Sequence, residues 1–250
     1  MSRFTPQLAG AHVLVTGGRK GIGKVITETL LAEGANVSYC SRNVTGEDVD
    51  IADPESIKAW VESAAETFGR IDIVVANACP KYTGPAIEEW QKSFQADVIG
   101  LISLIHAVTP HLEKRDGAGS IIVISSLAGF EAKHPAHTGP YATLKRAQAT
   151  LAKDFSRVLG PKGIRINSIV PGTIDSPATI LPDGTEEPST FQAVMTANPA
   201  FLESLLASIT LGKIGHAQDV ANAVVFLGSR LSSYITGTNL IIDGGISTTL

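Results

Sequence analysis

At 250 residues, with 44% hydrophobic and 18% charged side chains, the chain can bury one large core and is neither disordered nor fibrous. A net charge of -4 gives no basic footprint for nucleic acid, and no apolar run is long enough to span a bilayer, so neither nucleic acid nor membrane is an expected partner. Only 2 cysteines, Cys40 and Cys79, and a start, MSRFTPQLAG, without a signal-peptide pattern predict a reducing, cytoplasmic setting.

Along the chain, short β-rich runs alternate with longer helical patterns. The runs are HVLVTG from His12, NVSYCS from Asn36, IDIVVAN from Ile71, SIIVISS from Ser120, IRINSIV from Ile164 and TNLIID from Thr238. The helical patterns between them include GKVITETLLAEG, PESIKAWVESAAETFG, a long stretch from Glu88 to Lys114, YATLKRAQATLAKDFSRVLG and AQDVANAVVFLGS. With no linker and no repeat, this alternation predicts one α/β domain over residues 1–250, a doubly wound parallel sheet that binds ligands at the carboxyl ends of its strands. One crossover is too short for a helix. From Arg42 to Asp50 the chain can only loop back, and a short strand is expected near Asp48 to Ile51.

The first strand runs into TGGRKGIGK, Thr16 to Lys24, and then a helix. Glycines there let backbone approach a phosphate, and the helix N-terminus offers free N–H groups. Counted from Gly18, the segment is the G-x-x-x-x-G-K of a triphosphatase loop, but Val25 stands where a magnesium-binding Ser or Thr is needed. Counted from Thr16, it is T-G-x-x-x-G-x-G, a dinucleotide-type turn through Gly17, Gly21 and Gly23. Farther on, YATLK sets Tyr141 and Lys145 four residues apart at the front of a helix, on one face. Tyrosine with an unperturbed pKa of about 10 is a poor proton shuttle at neutral pH, and a neighbouring ammonium favours its ionised form.

With this glycine turn and the Tyr-x-x-x-Lys pair, the chain resembles the short-chain dehydrogenase/reductase family, whose motifs recur along nearly its whole length. The resemblance implies a Rossmann-like fold and a nicotinamide dinucleotide. Its contacts would be Gly17, Arg19, Lys20, Gly21, Ile22 and Gly23 in the loop, Ser41 and Arg42 after the second strand, and Asp50 with Ile51. Farther along, Asn77 and Ala78 would contribute, with Cys79 where glycine is usual, and then Tyr141, Lys145, Pro171, Gly172, Ile174 and Ser176. Among catalytic groups, it implies Tyr141 as general acid/base, Lys145 beneath it and on the nicotinamide ribose, and Ser126, a better match than Ser125, as hydrogen-bond donor to the substrate oxygen. The family's fourth member is an asparagine whose main-chain carbonyl helps hold a water beside the lysine. Here ADVIG puts Asp97 there, so that either the backbone role alone persists or a carboxylate enters the relay.

Charge decides the expected cofactor. Where an acid would favour a plain ribose stands Ser41, followed by Arg42, which with Lys20 and Arg19 can pair with a 2′-phosphate. NADP(H) is therefore expected over NAD(H), with Glu47 and Asp48 as counter-evidence. The apolar content of the segment around 176–212, with Ile180, Leu181, Phe191, Val194, Met195, Phe201, Leu202, Leu205 and Leu206, predicts a lid over a lipophilic ketone or alcohol, or else side chains packed on the domain itself. In relatives, helices like those of Glu88 to Lys114 and Tyr141 to Gly160 pack across dyads, so a homotetramer is expected. The six histidines show no metal pattern, and His134 and His137 are read as surface or packing residues. The alternative function is a dinucleotide-binding sensor or scaffold that has lost turnover.

Overall fold

The computed structural model describes residues 8–42, 48–80, 84–115, 117, 119–131, 139–180 and 184–248. Glu47, His134, His137 and Leu181 lie outside them. In chain order the elements are β1 His12–Thr16, α1 Gly21–Ala32, β2 Asn36–Cys40, α2 Pro54–Phe68, β3 Ile73–Ala76, α3 Ile87–Phe94, a π turn Gln95–Ile99, α4 Gly100–Glu113 and β4 Gly119–Ile124. Then follow α5 Tyr141–Leu159, β5 Ile164–Pro171, the two-residue strands β6 Ile174–Asp175, β7 Thr179–Ile180 and β8 Glu186–Glu187, α6 Thr190–Ala197, α7 Pro199–Ser208, β9 Gly215–His216, α8 Ala217–Gly228 and β10 Asn239–Ile242.

The six strands expected from sequence form one parallel sheet in the order β10-β5-β4-β3-β1-β2. Both faces of its central strands are covered, which is why β1, β3 and β4 are almost continuously apolar, whereas β5 also buries Arg165, Asn167 and Ser168. Val13, Val15, Ile73, Val75 and Ile122 pack toward α1 and α8, while Leu14, Val74, Ile121 and Val123 pack toward α2, α4 and α5. Local signals set the helix ends. Asp53 caps α2 by accepting from Glu55 N at 3.0 Å with Pro54 at the first position, and Gly69 ends it at φ 67°. No helix among the described residues is long and apolar enough to cross a membrane.

Two expectations are corrected. The strand near Asp48 to Ile51 shrinks to a single parallel bridge from Ser41 to Asp48. Val49 turns into the core, and the Asp50 carboxylate accepts from Ala52 N at 2.9 Å, so the chain bends at once into α2 and cannot continue a ladder. The long helix from Glu88 is two α-helices joined through the π turn that contains Asp97. Gly100 follows because a Cβ there would overlap the carbonyl oxygen of Ile51.

At the amino ends of the strands, Asp72 ties the sheet together. Its carboxylate accepts from His12 N at 2.8 Å, from Arg70 Nε at 2.7 Å and Nη2 at 2.6 Å, and from Arg115 Nε at 2.6 Å. Burial would push this carboxyl up, but the bonds from Arg70 and the His12 amide and the charges of both arginines hold it below the usual carboxylate range. The stabilisation is therefore present above the unfolded-chain value and lost as pH falls through the depressed folded one. Because both arginines reach solvent, Asp72→Asn is expected to cost about 2 kcal/mol, not the ~3–5 of a fully buried pair. Urea unfolding should show that gap at pH 7 and a steadily shrinking gap as pH falls below the usual carboxylate range; a gap that does not shrink with acid would remove the charge from the account.

Candidate active site

The parallel sheet brings the carboxyl ends of β1, β3, β4 and β5 to one edge, and the loops that leave them carry the expected site residues. The glycine loop is pinned from two sides. Gly17 N and Gly18 N donate to Cys40 O at 2.8 and 3.3 Å, tying it to β2. From β3, Asn77 Nδ2 donates to the carbonyls of Thr16 at 3.0 Å and Gly17 at 3.2 Å, while Thr16 Oγ1 accepts from Asn77 N and Ala78 N at 3.0 Å each. Thus Asn77 shapes the loop with its side chain. Gly23 is required because a Cβ there would overlap the Gly17 carbonyl oxygen.

Helix α1 begins after Lys20, whose extended backbone carries no side-chain cap, and its first turn holds no acid. Its free N–H groups and positive dipole end suit a diphosphate, so these residues fit the dinucleotide that the motif implies. Arg19, Lys20 and Arg42 are exposed, and none pairs with an acid among the described residues; Ser41 is half-buried. Ile51 and Ala78 line a narrow cleft of about 20 Å³ together with Thr16, Val49 and Gln148. Asp50 is exposed beside it, and Ile22 lies half-buried in the first turn of α1. On the far side, Pro171 is buried, Gly172 N donates to Ile242 O at 2.9 Å, Ile174 is in β6, and Ser176 Oγ stands 3.7 Å from where a Gly21 Cβ would be. The base of the 176–212 segment thereby meets the glycine loop.

Tyr141 and Lys145 form the first turn of α5, and the Lys145 ammonium lies 6.0 Å from the centre of the Tyr141 ring. Lys145 is only 4% exposed. Its Nζ donates to the Ile124 carbonyl at 2.8 Å and to Gln148 Oε1 at 3.0 Å, while Ser125 Oγ donates to the Lys145 carbonyl at 2.6 Å. Ser125 is therefore engaged with backbone. Ser126, next in the chain, is half-buried and caps a single turn at Leu127–Gly129 by accepting from Ala128 N at 3.3 Å. That turn packs on the backbone of α5, since a Cβ on Gly129 would stand 2.7 Å from Arg146 N. The end of β4 thus carries Ser126 to the front of α5.

Asp97 is 2% exposed, and its main-chain carbonyl accepts from Gln148 Nε2 at 3.0 Å and its Oδ1 from the same nitrogen at 3.3 Å. Its carboxyl lies near enough to Lys145 for the two charges to interact. Burial pushes its carboxyl up, against the Lys145 charge and a hydrogen bond with Cys79, which act the other way without overcoming it. For Lys145, burial acts downward, but the acidic groups of Cys79, Tyr141 and Asp97 together hold the ammonium above the usual lysine range. Sequence reasoning missed Gln148. Its spacing was the available signal, for it follows Lys145 by three and Tyr141 by seven, one helix face.

In the 176–212 segment, no residue of α7 is buried: Leu202, Leu205 and Leu206 are half-exposed and Phe201 is exposed. These leucines are partly covered, as side chains packed on the domain or held at the edge of a cover would both be. A bond from Gln192 Nε2 to Asp175 Oδ1 at 3.1 Å ties α6 to β6.

Residues 17–247 match the family described as enoyl-(acyl carrier protein) reductase. The chain is 40% identical to isoepoxydon dehydrogenase patN of Penicillium expansum, over 97% of each chain. It is 30% identical to dehydrogenase/reductase SDR family member 4 of Sus scrofa, over 95% of this chain and 87% of that one. Among solved structures it is similar to L-sorbose reductase from Gluconobacter frateurii, complexed with NADPH and L-sorbose, with a TM-score of 0.83 and 26% identity, over 99% of this chain and 100% of that one.

Proposed function

The chain belongs to the short-chain dehydrogenase/reductase family of oxidoreductases, and from that premise we propose that it interconverts a ketone and a secondary alcohol with NADP(H). The observation that carries this reading is the Lys145 ammonium, buried beneath the Tyr141 ring. When bound, the nicotinamide supplies or accepts the hydride at the carbinol carbon. In reduction Tyr141 donates its proton to the substrate oxygen, and in oxidation its phenolate takes that proton back. Ser126 donates a hydrogen bond that holds the oxygen in place, and Lys145 steadies the phenolate and holds the ribose. Asp97 acts at the inner end of this set, through its carbonyl and carboxyl. Gly17, Gly21, Ile22 and Gly23 would hold the diphosphate, and Asp50, Ile51, Asn77, Ala78, Pro171, Gly172, Ile174 and Ser176 would hold the rest of the dinucleotide. The presence of Ser126, Tyr141 and Lys145 supports turnover over a scaffold without it, the departures at Cys79 and Asp97 being what would favour the scaffold.

NADP(H) is preferred because Arg42, Lys20 and Arg19 are exposed at the end of β2 and the start of α1 with no acid paired to them among the described residues. The NADPH of the sorbose reductase complex is in keeping with this. The half-exposed leucines of α7 support a lid over a lipophilic small molecule. A chain with only 2 cysteines suits the cytoplasm. Exposed Phe226 near the end of α8, Leu231 and Tyr234 between α8 and β10, and Val158 on α5 supply apolar surface for the two-fold contacts of a homotetramer.

Tyr141→Phe should lower kcat by about 10²- to 10⁴-fold and leave the NADPH dissociation constant within about twofold; retained turnover would sink the mechanism. In Arg42→Asp the ratio of kcat/KM for NADP over NAD should fall by at least about tenfold, and an unchanged ratio would remove Arg42 from cofactor choice. Light scattering at micromolar concentration should give four times the chain mass, and a monomeric mass would refute the assembly.

A further inference from the structure

Lys145, Gln148 and Asp97 form a closed chain of contacts, with exposures of 4%, 5% and 2%. Gln148 links two elements that otherwise have no polar bond at this point: α5, which carries the lysine, and the π turn, which carries the aspartate. Its orientation is dictated. An ammonium can only donate, so Gln148 must turn Oε1 toward Lys145. A main-chain carbonyl can only accept, so Nε2 must face Asp97. Reversing the amide would set its N–H groups against the ammonium. Without the amide, the ammonium would keep the Ile124 carbonyl alone among its two hydrogen-bond acceptors, in surroundings where an under-satisfied charge is costly.

We propose that Gln148 is a positioning residue for the reaction: its amide fixes the Lys145 ammonium between the end of β4 and the π turn and joins it to Asp97, so that the aim of that ammonium toward Tyr141 and the ribose depends on it. The inference rests on the reading of Lys145 as the group that serves both. The charged or titratable groups that face the ammonium are Tyr141 from its own helix, Asp97 from the π turn and Cys79 from the segment after β3, while β4 offers only the neutral Ile124 carbonyl. Gln148 is the neutral member that keeps the positive and negative ends apart and aligned. A lysine freed to swing within this set would still be charged, but it would hold a phenolate and a ribose less well.

The test is a double-mutant cycle of Gln148→Met, which matches the side chain in length without its hydrogen bonds, and Lys145→Met, read by NADPH binding through fluorescence and by the pH profile of alcohol oxidation. Gln148→Met in the otherwise native protein should weaken NADPH binding by about fivefold and move the half-maximal point of oxidation upward by about one pH unit. In the Lys145→Met background the same substitution should leave NADPH binding unchanged, because the residue acts through the lysine. Equal effects in both backgrounds, or a lowered Tm with binding and pH profile unmoved, would make Gln148 a packing residue and overturn the proposal. If methionine prevents folding, Gln148→Asn, an amide too short to span both partners, is read the same way, and failure of both to fold would overturn it equally. Since binding needs no turnover, a protein that binds NADPH in this pattern but reduces no ketone would refute the reaction and leave the role of Gln148 standing.

Discussion

A buried ammonium is the constraint around which the site is assembled. Removing the Lys145 charge from water costs several kcal/mol, and the fold recovers this only by bringing acceptors to it. Each acceptor fixes an element. The Ile124 carbonyl comes from the end of β4 and the Gln148 amide holds the π turn, while Ser125, as a donor to the lysine's own carbonyl, adds a tie that does not involve the charge. Satisfying one charge therefore docks α5 against β4 and against the helix pair α3–α4, and the same docking carries Ser126 and Tyr141 to the front of α5. The chemistry and the local architecture are held by the same hydrogen bonds.

Much of this was legible in the sequence, for physical reasons that differ from element to element. The inner strands β1, β3 and β4 could be read because sheet faces covered on both sides demand apolar runs, and β2, β5 and β10 because β-branched and apolar residues recur in short runs between helical patterns. Tyr141 and Lys145 could be read because a helix makes a four-residue spacing mean one face. The π turn could not, since a widened turn changes hydrogen-bond partners without requiring a different composition. Gln148 was passed over because a glutamine in an amphipathic helix ordinarily belongs to the solvent face, although its spacing put it on the face of Tyr141 and Lys145. The bridge at Asp48 in place of a strand reflects a competition that composition does not settle, in which the capped start of α2 ends the extended chain first. For the 176–212 segment, a list of leucines was equally compatible with packing and with exposure.

The sheet separates two kinds of work along its length. At the amino ends, Asp72 gathers His12, Arg70 and Arg115 and serves stability. At the carboxyl ends, glycines, an uncapped helix and a buried lysine leave donors and charge turned toward ligands. Parallel strands make this division natural, because every strand contributes its beginning to one edge and its end to the other. The two sets of polar contacts lie at opposite ends of the same apolar layers, so a change at one end reaches the other only through packed side chains.

Helix α7, with no buried residue, has a consequence for how such a protein can diversify. Substitutions in a segment that contributes nothing to the core escape the stability threshold that purges most changes elsewhere. Sequence drift can therefore accumulate in α7 while the glycine loop and the lysine cluster stay under full steric and electrostatic restraint. One scaffold can thus supply a lineage of proteins alike at the buried lysine and divergent along this helix.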